Sequence, residues 1–159
     1  MSEIASAVLL MPTDLARLPV LESAVSELLD RGPAIVEPEI VRYNLWLAIH
    51  ELCVNIIQHA YDGAPGEFTI QMRLSDGPLR VEVKTRDQGK HRFDYGTYHA
   101  PNLDDPPVNG LGMFLIEQLV DQIEYQANET GSEWRLVKML QPADSVQSES
   151  VQPDAAVKG

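Results

Sequence analysis

The chain has 159 residues, 44% of them hydrophobic, the size and composition of one domain with a core large enough to fold unaided. Twelve Lys and Arg against 24 Asp and Glu leave a formal charge of −12, which repels phosphate backbones and anionic lipid. Nucleic acid and membrane surfaces are therefore poor partners, and a basic protein surface is a good one. No apolar run approaches the length of a membrane span, and Glu3 stands where a secretory leader would carry basic residues. A single cysteine, Cys53, rules out an internal disulfide and suits a reducing, cytoplasmic setting.

In chain order, residues 4–11 (IASAVLLM) read as a strand, with poor alternation. Leu18, Leu21, Ala24, Val25, Leu28 and Leu29 mark an amphipathic helix that Gly32 and Pro33 stop. Pro19 places its firm start near that residue, with only a loose turn around Asp14 before it. Glu37-Pro38-Glu39 opens a second helix that runs to about Tyr61, since proline suits the first turn and acidic side chains complement the helix dipole. Leu45, Ala48, Ile49, Leu52, Cys53, Ile56 and Ala60 form one stripe of this helix. Trp46, Leu47, Val54 and Ile57 carry the apolar surface further round, so the helix is expected to be covered on more than one face. Cys53 sits on the stripe as a small core residue.

A hairpin follows. Phe68, Ile70, Met72 and Leu74 alternate with polar residues, as do Leu79, Val81 and Val83, around the turn Ser75-Asp76-Gly77-Pro78. Each strand has one buried and one wet face, which predicts a sheet covered by helices on one side. From Asp87 to Gly110 the pattern disappears; so long a loop in a compact domain is normally functional or mobile. A helix then carries Phe114, Leu115, Leu119 and Val120 inward, and two strands follow, Ile123–Asn128 and Glu133–Leu140, joined at Glu129-Thr130-Gly131-Ser132. Residues 141–159 lack the apolar surface to offset ordering entropy and read as a disordered polar tail. The predicted fold is an α/β two-layer sandwich over residues 1–140: a mixed, mainly antiparallel sheet with helices on one face.

Three stretches carry chemistry. Glu51 and Asn55 sit at i and i+4 on the border of the apolar stripe, where a carboxylate and an amide must find partners or line a cavity. Asp87-Gln88-Gly89 ends a strand; its carboxylate can accept a hydrogen bond from an exocyclic amine, and Gly89 lets backbone pass close to a planar ring. Gly110-Leu111-Gly112 precedes a helix, where free N–H groups favour an anion. Each pattern alone is common in plain turns and helix edges. The four histidines lack zinc-like spacing with the cysteine, His59 reads as a packed histidine, and no P-loop, dinucleotide fingerprint or GxSxG is present.

In this order, ExxxN, strand-DxG, loop and GxG-helix resemble the N, G1 and G2 boxes of the GHKL ATP-binding superfamily. The closer likeness is to anti-sigma-factor serine kinases of the RsbW type, through ELCVNIIQHAYDG, TRDQGKHRFD and NGLGMFLIEQLVDQIEY. The resemblance covers about residues 4–140. It implies that Asn55 gives an oxygen ligand to Mg²⁺, that Glu51 is the base for an incoming serine hydroxyl, and that Asp87 recognises the adenine amine with Gly89 beneath the ring. Gly110, Leu111 and Gly112 would hold the phosphates, and Ser132 would stand beside the adenine-binding aspartate.

The implied protein is an ATP- and Mg²⁺-dependent serine/threonine kinase and anti-sigma factor, switching between a sigma factor and an anti-anti-sigma antagonist, with a homodimer as a possible assembly. Lys90-His91-Arg92 departs from the family pattern by one extra residue, and Asp94–Asn109 holds Asp94, Asp104 and Asp105 but no lysine or arginine. Two other readings therefore stand beside the kinase: a nucleotide-regulated module that sequesters its partner without turnover, and a kinase-like activator of a phosphatase.

Overall fold

The computed structural model describes residues 2–94, 104 and 111–144. The chain forms β1 (Ser2–Pro12), α1 (Val20–Asp30), α2 (Pro38–Asn55), β2 (Glu67–Asp76), β3 (Arg80–Asp87), α3 (Leu111–Leu119), β4 (Gln122–Ala127) and β5 (Ser132–Met139). The five strands make one sheet in the order β1-β2-β3-β5-β4, and its pairings are all antiparallel. The expected architecture is present, but the described sheet is wholly antiparallel rather than mixed. β3 and β4 do run in the same direction, yet β5 lies between them and pairs with both.

Local chemistry explains where the elements begin. Asp14 Oδ1 accepts from Ala16 N at 3.0 Å and holds a single 3₁₀ turn, Leu15–Arg17, before α1 starts after Pro19. Pro38 occupies the first turn of α2, where its missing N–H has no partner to lose. At its C-terminal end α2 widens into a π-helical turn, Ile56–Ala60, closed by Tyr61 N on Ile56 O at 3.2 Å. Helix thus continues to the expected limit near Tyr61, in a geometry frequent at functional sites.

The core lies between the helices and the inner face of the sheet. Leu21 and Val25 of α1 and Leu45, Ala48, Ile49 and Leu52 of α2 are fully buried against Ile70, Met72, Val81 and Val83. Cys53 is buried among them, and burial pushes its thiol well above the usual range, as befits a packing residue. The expected phase of α3 is corrected: Met113 and Ile116 are its buried residues, with Leu119 and Val120 packed at the core's edge. Phe114 and Leu115 are only half-buried. Nearly every α3 residue is apolar, so composition could not fix which side turns inward; packing against α2 does.

Two further expectations change. The helix Pro38–Ala60 has 23 residues, and its most apolar 18-residue window has a mean hydropathy of 1.2, so by length and composition alone it could cross a membrane. No single run looked long enough, because His50, Glu51 and Asn55 interrupt it. Its inner face nevertheless makes the core of this domain. The disordered tail was expected from residue 141, yet Gln141 O accepts from Val36 N at 2.9 Å and Ala143 N donates to Ala34 O at 2.9 Å. Backbone pairing, with a bridge between Ile35 and Pro142, orders this segment. Residues 145–159 lie outside the described residues, as do residues 95–103 and 105–110 of the aperiodic loop.

Leu52 is fully buried at the centre of α2. Leu52→Ala is expected to cost about 2–5 kcal/mol of unfolding free energy, measured by chemical denaturation. A loss within the range of a surface substitution would show that α2 is not the core helix.

Candidate nucleotide site

The site assembles where α2, β3, α3 and the β4–β5 turn meet. In the β3–β5 ladder Asp87 stands opposite Ser132. Asp87 Oδ1 accepts from Gly89 N at 3.0 Å and from Ser132 Oγ at 3.4 Å, whereas Oδ2 is buried with no hydrogen-bond partner. A buried carboxylate oxygen left open costs free energy that a ligand donor can recover. Burial pushes the Asp87 carboxyl above its usual range, against the pull of the Gly89 N–H, Ser132 and Arg92.

Close backbone approach fixes two glycines here. A Cβ on Gly89 would lie 2.4 Å from Ala60 O, and one on Gly131 would lie 2.0 Å from Asp87 O. Neither position admits a side chain without moving backbone. The carbonyl of Ala60, in the π-helical turn, also accepts from His91 N at 3.2 Å, so that turn docks directly onto the segment after β3. Tyr61 strengthens the joint: its hydroxyl donates to Glu67 O at 2.6 Å and accepts from Gln88 N at 3.0 Å. Burial pushes that hydroxyl up, which keeps it protonated as a donor.

Arg92 closes the same end, donating to Gly89 O and, at 3.2 Å from both Nε and Nη2, to Asn128 O. Asn128 Oδ1 in turn accepts from Thr130 N at 2.9 Å and Gly131 N at 3.1 Å, which sets the β4–β5 turn.

These elements enclose a cavity of about 400 Å³, within the range of small-molecule sites. Asn55, Ile56, Ala60, Asp87, Gly112, Met113 and Ser132 line it. One wall is aromatic: Tyr125 and Trp134 ring centroids lie 4.5 Å apart, and Phe93 lies 5.2 Å from Trp134. Such a wall offers a planar ring a stacking surface. At the far end, a Cβ on Gly112 would lie 3.1 Å from Glu51 Oε2 and 3.3 Å from Asn55 Oδ1, so the first turn of α3 sits directly on this pair. Hard oxygen donors next to a helix N-terminus suit a phosphate group with its Mg²⁺.

Asn55, Asp87, Gly112 and Ser132 thus come together around one cavity. Gly89 supports it from behind Ala60, Leu111 opens α3, and Glu51 stands behind Gly112 beside Asn55. Gly110 lies outside the described residues. His59, expected to be packed, is instead exposed at the cavity's edge. Sequence reading missed Tyr61, Arg92 as a clamp, Gly131 and the aromatic wall. Gly131 before Ser132 was the one legible signal, since a strand-pairing partner of Asp87 must be preceded by a residue that clears it.

The sandwich, the carboxylate at the sheet rim and the glycine-led helix define a nucleotide-binding domain of the histidine-kinase type. The chain belongs to the histidine kinase-like ATPase domain family, whose model matches residues 11–138. Among curated proteins it is similar to the serine-protein kinase RsbW of Bacillus pumilus, 34% identical over 95 residues, 54% of this chain and 57% of that one. It is also similar to RsbW of Bacillus cereus strain ATCC 10987, 37% identical over 91 residues, 52% and 55% of the two chains. The chain spans only a little over half the length of these relatives. A solved structure with RsbU and RsbW domains from Mycobacterium tuberculosis shares the fold with a TM-score of 0.60 at 15% identity, covering 86% of this chain and 32% of that one. The likeness read from the three boxes is borne out.

Because the folded carboxyl of Asp87 titrates above its unfolded value, ionising it costs stability. That cost is full above the raised value and vanishes below the ordinary carboxylate range. Asp87→Asn should therefore melt higher than wild type at neutral pH, with the gap closing as pH falls. The same substitution should weaken ATP about ten- to a hundredfold, and more than GTP, by removing the charged acceptor for the amine. Calorimetry and melting curves on one preparation check both; equal ATP affinity would remove Asp87 from the base-binding role.

Proposed function

We propose that the chain binds ATP with Mg²⁺ and phosphorylates a serine or threonine hydroxyl of an antagonist protein, while holding a sigma factor in alternation with it. The observation that carries this reading is one cavity lined by Asp87, with its buried unfilled acceptor Oδ2, at one end and by Asn55 and the start of α3 at the other, with Glu51 behind Gly112. The relatives named serine-protein kinase RsbW support it. A cytoplasmic setting and a homodimer belong to the same proposal.

In this mechanism Asp87 accepts from the adenine amine, with Ser132 and the Gly89 N–H holding its other oxygen. Asn55 offers its oxygen to Mg²⁺, which when bound supplies neutralising charge between the phosphates. Gly112 lets the α3 N-terminus approach the phosphate group. Glu51 takes the proton from the acceptor hydroxyl as its oxygen bonds to the γ-phosphorus, while the bond to the ADP oxygen breaks. Positioning and electrostatics supply the rate, as phosphoryl transfer requires.

A sequestering module without turnover is the second reading, and one observation favours it. Arg92 is the one Lys or Arg among the described residues lining the cavity, and it is committed to the carbonyls of Gly89 and Asn128. Among the described residues lining the cavity, no other lysine or arginine is then left for the γ-phosphate.

Single-turnover transfer from ATP separates the readings. Glu51→Gln should keep ATP binding and lose phosphoryl transfer by about 10²–10⁴-fold, the value of a general base. Asn55→Ala should weaken Mg²⁺-dependent nucleotide binding itself. Tight ATP binding by a wild type that transfers nothing would hand the function to the sequestering module.

A further inference from the structure

Helix α2 has a third side, turned away from the sheet, on which two large apolar side chains are exposed. At 100° per residue it turns Leu45, Ala48, Ile49 and Leu52 to the sheet and sets Glu51 and Asn55 toward α3. The third side carries Ile40, Tyr43 and Leu47, and at its margins Trp46 and Val54 are half-buried and pack against the core. Ile40 and Tyr43 are 53% and 57% exposed, which is unusual for large apolar side chains on a helix so central to its fold. In the most apolar window of Pro38–Ala60, Ile40 and Tyr43 are the exposed residues, and the others are buried or half-buried.

This stripe runs without a break into the candidate base. The Tyr43 ring lies 5.7 Å from Trp46, Trp46 lies 5.5 Å from His50, and His50 Nδ1 lies 3.7 Å from Glu51 Oε1. Nε1 of Trp46 and Nδ1 of His50 have no hydrogen-bond partner. We propose that the stripe seats the protein that delivers the phosphoryl-accepting hydroxyl, an inference that rests on the kinase reading.

The hydroxyl must come within hydrogen-bond reach of Glu51, and Tyr43 is about 12 Å before it along the helix axis. A protein face of ordinary size, about 800 Å² per partner, that reaches Glu51 from the side away from the core also covers Tyr43. Exposed tyrosine, as at Tyr43, is a residue type that anchors such contacts.

Charge selects the occupant. Glu37 and Glu39 are exposed at the start of the stripe, and the nearby Arg42 is already paired with Asp30 at 3.0 Å. The fitting partner has an apolar patch flanked by lysine or arginine, with a serine or threonine at its border. A second copy of this chain, itself carrying −12, would set acid against acid, and an anionic membrane is repelled in the same way.

The test uses the full chain, ATP and a purified anti-anti-sigma protein from the same genome. Tyr43→Ala and Ile40→Ser/Tyr43→Ala alter exposed positions and should melt like wild type. They should raise KM for the acceptor protein at least about tenfold, with kcat and ATP affinity kept, and Tyr43→Phe should restore KM. Glu51→Gln should show the reverse split. An unchanged KM in both stripe variants, with an active wild type, overturns the docking surface and leaves the kinase reading intact. If wild type transfers nothing, the kinase reading falls, and docking is read from calorimetric binding of the same protein. Binding lost in Tyr43→Ala then upholds the stripe, and binding kept overturns it. A dimer that dissociates in the variants at unchanged KM assigns the stripe to a second copy instead.

Discussion

A buried carboxylate with one oxygen satisfied and the other left open governs how this molecule is put together. Asp87 is held by the Gly89 N–H and by Ser132, its neighbour across the β3–β5 ladder. Neither contact fills Oδ2, so the free protein pays a desolvation cost that only a donor placed in the cavity relieves. Strain of this kind persists because the surrounding ladder and turns over-determine it. Everything else at this end of the sheet keeps that oxygen dry and aimed.

Two segments distant in sequence, the end of α2 and the stretch after β3, do the aiming through bonds to main-chain atoms. The π-helical turn presents Ala60 O to Gly89 and His91, Tyr61 ties β2 to Gln88, and Arg92 ties Gly89 to Asn128. Main-chain partners tolerate exchange of side chains around them. The extra length of Lys90-His91-Arg92 is thus absorbed as a clasp between the α2 end and the β4–β5 turn, and the cavity keeps its shape. The cost is that its one described arginine serves architecture rather than phosphate.

The fold was legible because its periodicities are strong. Alternation in β2 and β3, the stripe of α1 and the proline-led start of α2 each have one physical solution, and the structure adopts it. Glu51, Asn55, Asp87, Gly112 and Ser132 were legible as a set because polar residues on an apolar helix and glycines beside a strand end or a helix are costly without a reason. What stayed hidden depends on tertiary pairing. The phase of α3 is invisible in a run such as Leu111–Leu119, where Gly112, Glu117 and Gln118 alone break the apolar sequence. Arg92 reads only as part of a stretch one residue too long until the carbonyls of Gly89 and Asn128 appear beside it. Tyr61 reads as the end of a helix until β2 and β3 bring Glu67 and Gln88 to its hydroxyl.

The two tryptophans divide the molecule's surfaces between them. Trp134 stands in the cavity wall, stacked near Phe93 and Tyr125, while Trp46 is half-buried on α2 between the rings of Tyr43 and His50. Replacing either one leaves a single emitter in a defined place. Light from Trp134 would report what enters the cavity, and light from Trp46 what settles on the helix. The protein therefore carries its own pair of optical gauges, and the order in which two ligands arrive can be timed without attaching a dye.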